Sequence, residues 1–203
     1  MIILFDLDYT LMDTARLHDR LAEIFDREDY RHDYQALFKQ RQVNFDAEKY
    51  LKILKQQGRV DAAREKELRR GLNELMNELD KYLKPGAAEA LQHFKQAGDR
   101  LVLITFGNQA WQAEKVKYLS IAGYFDQVIF EERDKSKSDF LKSLGQAKEK
   151  ALIVNDNIGE AAEMKKILGE RAELRLVKGK YNQGTEPDIE NLIELTEKYE
   201  ARI

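Results

Sequence analysis

The sequence predicts an α/β fold in which a Rossmann-like parallel sheet carries a small, inserted, all-helical cap domain. Two observations lead to this prediction. From residue 86 onward, short apolar runs alternate with helix-like segments, and residues 14–84 contain helical patterns without a convincing strand. Strand–helix alternation is typical of a parallel sheet covered by helices on both faces. The expected division is therefore a core of residues 1–13 and 85–203 and a cap of residues 14–84.

Five apolar runs rich in branched side chains are predicted to form the parallel strands. They are residues 2–5, 101–105, 127–130, 151–154 and 173–177. Helices are expected over residues 86–97, 109–122, 138–144, 159–168 and 188–201. The first four of these are each followed or closed by a glycine, which commonly ends a helix: Gly98, Gly123, Gly145 and Gly169.

The cap segment is predicted to contain three or four amphipathic helices. Their expected ranges are 14–29, 31–41, 46–57 and 61–83. In the last range, an apolar stripe recurs at spacings of three and four residues, formed by Leu68, Leu72, Leu75, Met76 and Leu79. The Pro85-Gly86 pair is a strong turn signal and closes the segment.

Composition excludes several classes of function. The 34 Lys and Arg residues nearly balance the 37 Asp and Glu residues, whereas nucleic-acid binding normally shows a clustered basic surplus. The absence of cysteine excludes a disulfide scaffold, a zinc–thiolate site and a cysteine nucleophile. No apolar stretch reaches membrane-spanning length, and no basic region precedes the first apolar run. We expect a cytoplasmic protein without nucleic-acid or membrane partners, and its oligomeric state is not indicated.

Polar side chains follow three of the predicted strands at the point where each strand ends. They are Asp6 and Asp8 after the first, Thr105 and Asn108 after the second, and Asn155 and Asp156 after the fourth. Because the carboxyl ends of parallel strands meet at one edge, where ligands bind, we expect these groups in one crevice. Three converging carboxylates without His or Cys favour Mg²⁺. The alternative is that the aspartates only cap helices and turns.

A phosphoryl group suits the same edge. Gly107 permits close approach of the backbone, and the N–H groups that open the following helix attract an anion. Carboxylates, a hard metal ion, a hydroxyl group and an anion cradle together indicate phosphoryl transfer rather than acyl transfer.

These motifs resemble those of the haloacid dehalogenase (HAD) superfamily, in its phosphatase-like branch with a helical cap of the C1 type. The sequence "DLDYT" at residues 6–10 is similar to the first family motif, an Asp-x-Asp-x-Thr or Val strand end. "LVLITFGN" at residues 101–108 looks like the second motif, and "ALIVNDNIGEA" at residues 151–161 looks like the fourth.

The resemblance implies a role for each matched residue. Asp6 would be the nucleophile, and Asp8 would be the general acid and base. The side chain of Thr105 and the backbone from Phe106 through Gly107 to Asn108 would bind the phosphoryl oxygens. Mg²⁺ would be held by Asp6, the backbone carbonyl of Asp8, and Asp156, with Glu160 as a further or outer ligand in place of the usual Asp.

The third family motif is a lysine, for which two candidates exist. Lys137 directly precedes the expected helix, and Lys135 fits an alternative spacing with Asp139. We favour Lys137. Tyr9 replaces the glycine that is common between the two motif aspartates, and Asn155 replaces the usual Gly or Asp before the metal aspartate.

The expected function is a Mg²⁺-dependent phosphatase that hydrolyses a small phosphorylated metabolite through an aspartyl-phosphate. A sugar phosphomutase of the same superfamily is an alternative, as is a non-catalytic binding or regulatory module on this fold. Dehalogenation is disfavoured because it needs no general acid at the position of Asp8. The natural substrate is not indicated by the sequence.

Overall fold

The computed structural model describes residues 1–131, 137–147, 149–182 and 187–200, with the backbone alone at 137, 138 and 200. Five parallel strands form one sheet in the order β3-β2-β1-β4-β5. They are β1 (Ile2–Phe5), β2 (Arg100–Phe106), β3 (Gln127–Glu131), β4 (Ala151–Asn155) and β5 (Ala172–Leu176). The predicted α/β class and all five predicted strands are confirmed.

The central strand β1 is buried on both faces of the sheet. Its alternate side chains point to opposite sides, as in any strand, and each side has its own apolar cluster. Ile3 and Phe5 belong to a large cluster that continues into the helical segment after β1, and Ile2 and Leu4 belong to a smaller one. Phe5 pairs with Leu103 of β2 on one side and with Val154 of β4 on the other, so the three strands end side by side.

The cap segment contains α1 (Thr14–Phe25), α2 (Arg27–Asp33), a π-helical turn (Tyr34–Lys39), α3 (Ala47–Gln56) and α4 (Ala62–Asn77). Aspartates cap three of these helices through their side chains: Asp13, Asp46 and Asp61. The side chain of an N-terminal aspartate accepts a backbone N–H that would otherwise lack a partner.

Three of the predicted cap helices have the wrong bounds. The range 14–29 is broken at Asp26, whose φ of 86° and ψ of 121° are not helical, and the range 31–41 is divided between α2 and the π-helical turn. The range 61–83 ends as an α-helix at Asn77 and is followed by a 3-10 turn over Leu79–Tyr82. No Gly or Pro marks any of these breaks in the sequence.

The remaining helices are α5 (Ala87–Gln96), α6 (Gln109–Tyr118), α7 (Lys137–Gln146), α8 (Ile158–Leu168) and α9 (Leu192–Glu200). Three predicted bounds are wrong, and one of them is the start of the last helix, which was predicted at residue 188 and lies at Leu192. The helix expected over 109–122 stops at Tyr118 because Leu119 is extended, and Gly123 lies in a 3-10 turn. Gly145 lies inside α7 rather than after it. Within the described ranges, no helix is long and apolar enough to cross a membrane.

Candidate active site

The turn after β1 carries Asp6 and Asp8 to the carboxyl edge of the sheet. The strand ends at Phe5, as predicted, and a turn follows it. In this turn, the carbonyl of Leu7 accepts hydrogen bonds from the amides of Leu11 and Met12 at 3.0 and 2.9 Å. Tyr9 has a φ of 62°, a left-handed conformation that is uncommon for a non-glycine residue.

One hydroxyl group joins the ends of β1 and β4. Thr10 Oγ1 donates to Asp6 Oδ2 at 3.0 Å and lies 3.4 Å from Asp156 Oδ1, and it accepts the backbone N–H of Asp156 at 3.0 Å. All three residues are buried. The structure therefore brings together the two carboxylates that the sequence analysis assigned to a metal.

The carboxylates at this edge carry more negative charge than their neighbours balance. Burial raises the pKa of Asp6 well above its usual range, and the charges of Glu160, Asp8 and Asp156 raise it further. Burial also raises the pKa of Asp156, although the Tyr181 amide and Lys84 counteract part of this effect. A cation at this edge would favour the charged form of each carboxylate.

The donors fit Mg²⁺ in their chemistry, since they are hard oxygen atoms. Among the described residues, no group of three or more His, Cys, Asp or Glu side chains is arranged to hold a metal ion. A Mg²⁺ ion here would therefore be held by Asp6, Asp156 and ligands other than side chains, such as the backbone carbonyl of Asp8 and water molecules.

Asp8 is held by an ion pair that the sequence analysis did not anticipate. The Nζ of Lys115 donates to Oδ1 and Oδ2 of Asp8 at 2.7 and 2.8 Å. Gln112 Nε2 and Thr14 Oγ1 each donate to the same carboxylate at 2.8 Å. Burial opposes ionisation of Asp8, but the charge and hydrogen bonds of Lys115 together with the hydrogen bonds from Gln112 and Thr14 outweigh it, so the pKa of Asp8 lies below its ordinary value.

A spacing on α6 could have indicated this group. Asn108, Gln112 and Lys115 are separated by four and three residues, which places them along one side of the helix that follows β2. The Lys115 side chain is only 2% exposed. A fully buried lysine is rare without a partner, but the sequence alone does not show that this lysine is buried.

The loop between β2 and α6 contains the residues expected to bind a phosphoryl group. Asn108 Oδ1 accepts the Trp111 amide at 2.9 Å and so caps α6. Gly107 has a φ of 143°, and a Cβ atom there would lie 2.7 Å from Gln112 Nε2. The Gly107 amide donates to the Glu131 carbonyl at 3.1 Å. Thr105 is fully buried, and its hydroxyl group has no hydrogen-bond partner among the described residues.

These elements surround one cavity of about 190 Å³ between the sheet edge and the cap. Most of the expected site residues line it: Asp6, Asp8, Phe106, Gly107, Asn108, Asp156 and Glu160. Thr105 does not line the cavity. Glu160 lies in the first turn of α8, where its amide donates to Asn157 Oδ1 at 3.2 Å. It also lines the cavity, and its charge raises the pKa of Asp6.

The third-motif lysine is not tested by the structure. Lys135 lies outside the described residues. Lys137 is the first residue of α7, but its side chain is also outside them. The preference for Lys137 stays a prediction.

The sequence matches the family of haloacid dehalogenase-like hydrolases over residues 3–167, which is most of the chain. The chain belongs to this family. The five-stranded parallel sheet and its helices are accordingly the Rossmann-like HAD fold. No curated protein matches the chain.

Solved structures show the same fold at low sequence identity. A protein from Burkholderia xenovorans LB400, assigned as a haloacid dehalogenase-like hydrolase, is 21% identical with a TM-score of 0.69, over 97% of this chain and 94% of that one. A protein from Thermotoga maritima assigned as a beta-phosphoglucomutase is 21% identical, with a TM-score of 0.64 over 100% and 99%. The HAD-hydrolase YfnB from Bacillus subtilis, described as bound to magnesium, is 17% identical, with a TM-score of 0.58 over 97% of both chains.

This HAD hydrolase has a further site element, in the loop after β5, that sequence reasoning missed. The Tyr181 amide donates to Asp156 Oδ2 at 3.3 Å. Gly179 packs so closely on Asp156 that a Cβ atom there would lie 2.5 Å from Oδ2. The rings of Tyr9 and Tyr181 meet edge to face with centroids 5.5 Å apart, and Lys180 Nζ lies 5.1 Å from the Tyr9 ring centroid.

Proposed function

We propose that this chain is a Mg²⁺-dependent phosphatase that hydrolyses a small phosphorylated metabolite through an aspartyl-phosphate on Asp6. The observation that carries the proposal is that Asp6, Asp8 and Asp156 line one cavity at the carboxyl edge of the sheet, beside the start of α6. Membership of the haloacid dehalogenase-like hydrolases supports a hydrolytic reaction. Proteins assigned as phosphatases occur among the similar folds.

In the first step, a carboxylate oxygen of Asp6 attacks phosphorus and the bond from phosphorus to the alcohol oxygen breaks. The product on the enzyme is an aspartyl-phosphate. Because the ion pair with Lys115 keeps Asp8 ionised, Asp8 would relay to the departing oxygen a proton taken from the monoanionic ester. The phosphoryl oxygens need donors during this step. The family resemblance gives this role to the Thr105 hydroxyl, which has no other hydrogen-bond partner in the described part of the chain but lies behind the cavity lining in this structure.

In the second step, a water molecule attacks the phosphorus of the aspartyl-phosphate and Asp8 takes its proton. Phosphate leaves, and the Asp6 carboxylate is restored. The ion pair with Lys115 suits Asp8 to this second role, because it keeps the carboxylate ready to accept a proton. Gln112 and Thr14 fix the direction of the same carboxylate.

The residues that would hold Mg²⁺ are Asp6 and Asp156 through their side chains and Asp8 through its backbone carbonyl. When bound, the ion supplies positive charge that offsets the repulsion between the carboxylates and the phosphoryl oxygens. Glu160 lies close enough to act electrostatically on both metal aspartates. The hydroxyl of Thr10 keeps the two carboxylates in place.

Phosphate release from a general phosphomonoester, measured with Mg²⁺ and with a chelator, tests the proposal. We expect activity that depends on Mg²⁺ and falls at least about a thousandfold in Asp6→Asn, because the nucleophile is lost. Asp61→Asn is the matched control, since Asp61 caps α4 away from the cavity and Asn caps helices equally well. If no ester in a broad panel is cleaved with Mg²⁺ and no phosphate mimic binds, the proposal is wrong.

The two alternatives give different products. A phosphomutase would convert a sugar phosphate to its isomer without releasing phosphate, and a binding module would bind a phosphate mimic without turnover. Product analysis by phosphorus magnetic resonance on the same protein samples separates the three functions.

A further inference from the structure

The wall of the cavity opposite the carboxylates is aromatic. It is formed by three rings of the cap and one of α6, which we call the aromatic wall: Tyr34, Phe38, Phe45 and Trp111. The Phe45 ring contacts all three others, with centroids 5.1 Å from Phe38, 5.7 Å from Tyr34 and 5.7 Å from Trp111. The cap and the core therefore meet through these rings directly above the site.

The backbone of the cap is shaped to present this wall. Residues 34–39 form a π-helical turn, in which the amide of Gln40 donates to the carbonyl of Gln35, and the amide of Val43 then donates to the carbonyl of Phe38. Gln42 closes the segment with a positive φ of 54°. Such π-helical turns are rare and occur frequently at functional sites.

The rings are not simply part of the buried core. Tyr34, Phe45 and Trp111 are only half-buried, and they present apolar surface to the cavity. The same segment also contributes polar lining residues, of which Lys39 and Gln42 are exposed and Asn44 is half-buried. The inner part of the pocket is thus divided into a charged floor on the sheet and an apolar roof on the cap.

The size of the cavity limits the substrate. A cavity of about 150 Å³ lined by apolar side chains holds one benzene molecule. At about 190 Å³, this cavity has room for a phosphoryl group at the floor and a small body such as one six-membered ring. A polyhydroxylated body would place hydroxyl groups against the Phe38 and Phe45 rings, which offer no hydrogen bonds, and each unpaired buried hydroxyl costs about 1–3 kcal/mol.

We propose that the substrate is a small phosphomonoester whose alcohol carries one apolar, ring-sized body, and that the aromatic wall selects it over polyol and sugar phosphates. This inference rests on the proposed phosphatase function. It goes beyond that function by naming the chemical class of the leaving group and the residues that recognise it.

Binding is the first test, because it does not require turnover. Trp111 is the only tryptophan in the chain, so intrinsic fluorescence reports directly on the wall. We expect benzylphosphonate to change this fluorescence and to bind at least about tenfold more tightly than dihydroxypropylphosphonate, since one good aromatic contact contributes about 0.5–1.5 kcal/mol beyond burial. Equal or tighter binding of the polyol analogue would overturn the proposal.

Turnover is the second test. Benzyl phosphate and glycerol phosphate are both esters of primary alcohols, so their leaving groups are matched in kind. We expect kcat/KM to favour benzyl phosphate by about tenfold or more, and Phe45→Ala to lower kcat/KM for benzyl phosphate much more than for glycerol phosphate, so that most of the preference is lost. Phe45→Leu retains an apolar side chain and separates loss of the ring from loss of folding. Tyr118→Ala removes an exposed ring outside the cavity. It should change neither the affinity ratio of the two phosphonates nor the kcat/KM ratio of the two esters.

The outcomes distinguish this inference from the function on which it rests. Preferential binding of benzylphosphonate without cleavage of any ester would overturn the phosphatase function and leave the recognition by the wall supported. Cleavage of all esters without a preference for the ring would support the phosphatase function and overturn the recognition.

Discussion

Lys115 of α6 reaches the turn after β1 and places its Nζ 2.7 and 2.8 Å from the two carboxylate oxygens of Asp8. The same carboxylate accepts the hydroxyl of Thr14, the first residue of α1. Asp8 therefore contacts a helix of the core and a helix of the cap at once. This links the position of the Asp8 carboxylate, the proposed proton-transfer group, to the junction between cap and core.

Replacing Lys115 with Met should destabilise the protein by about 2–4 kcal/mol, since it leaves the largely buried carboxylate of Asp8 without its cation. Activity should fall as well, because Asp8 loses two of its four hydrogen bonds. Urea unfolding gives the free energy. Adding Asp8→Asn to the Lys115→Met variant should restore part of the lost stability and reveal the coupling between the two residues.

Lys117→Met is the matched control for this pair. Lys117 is exposed on the same helix, and its pair with Glu114 is long, at 3.7 Å. Its loss should therefore change the free energy of unfolding by less than about 0.5 kcal/mol. A Lys115→Met protein as stable and active as the Lys117→Met protein would contradict the assigned ion pair.

The sequence predicted the sheet well because its signals are local. Each strand is a short apolar run, and a parallel sheet brings the residues after such runs to one edge. The amino-acid pattern alone was therefore enough to place Asp6, Asp8 and Asp156 together. The pairing of Asp8 with Lys115 could not be predicted, because a lysine is normally exposed and its partner lies far away in the chain.

The cap was predicted less well, for a related reason. The break at Asp26 has no Gly or Pro to mark it, and the π-helical turn after Asp33 has no recognised sequence pattern. Both are set by packing of rings such as Phe25, Tyr30 and Tyr34 against one another. Tertiary contacts of this kind override the local preference for a continuous helix.

Replacing Gly179 with Ala should disturb the proposed metal site without replacing a ligand. The added Cβ would lie 2.5 Å from Asp156 Oδ2, so the carboxylate or the loop must move. Because Mg²⁺ tolerates little deviation from ideal geometry, we expect the Mg²⁺ concentration for half-maximal phosphate release to rise at least about tenfold. Gly123→Ala is the control, since nothing lies within 4 Å of a Cβ at that position. Identical Mg²⁺ dependence in the two variants would refute this assignment.

His18 should make stability depend on pH. Its Nδ1 lies 2.7 Å from the Tyr30 hydroxyl inside the cap, and burial lowers its pKa from 6.5 to about 4. Between these values the unfolded chain binds a proton that the folded chain does not, so stability falls as pH drops from about 6.5 to about 4. The nearest charges act in both directions, since Asp8 raises this pKa and Lys115, Lys180 and Lys39 lower it.

The variant His18→Gln isolates this effect, because it removes the titrating ring from the same packing environment. We subtract the free energy of unfolding of the variant from that of the wild type. This difference should be smaller at pH 4.5 than at pH 7.5, by at most about 3 kcal/mol, since one pKa unit corresponds to about 1.4 kcal/mol. Urea unfolding at the two pH values measures it. His32→Gln, at a side chain that is 82% exposed, controls for the loss of a histidine. A difference that stays constant with pH would mean that His18 is not held neutral by burial in the folded cap.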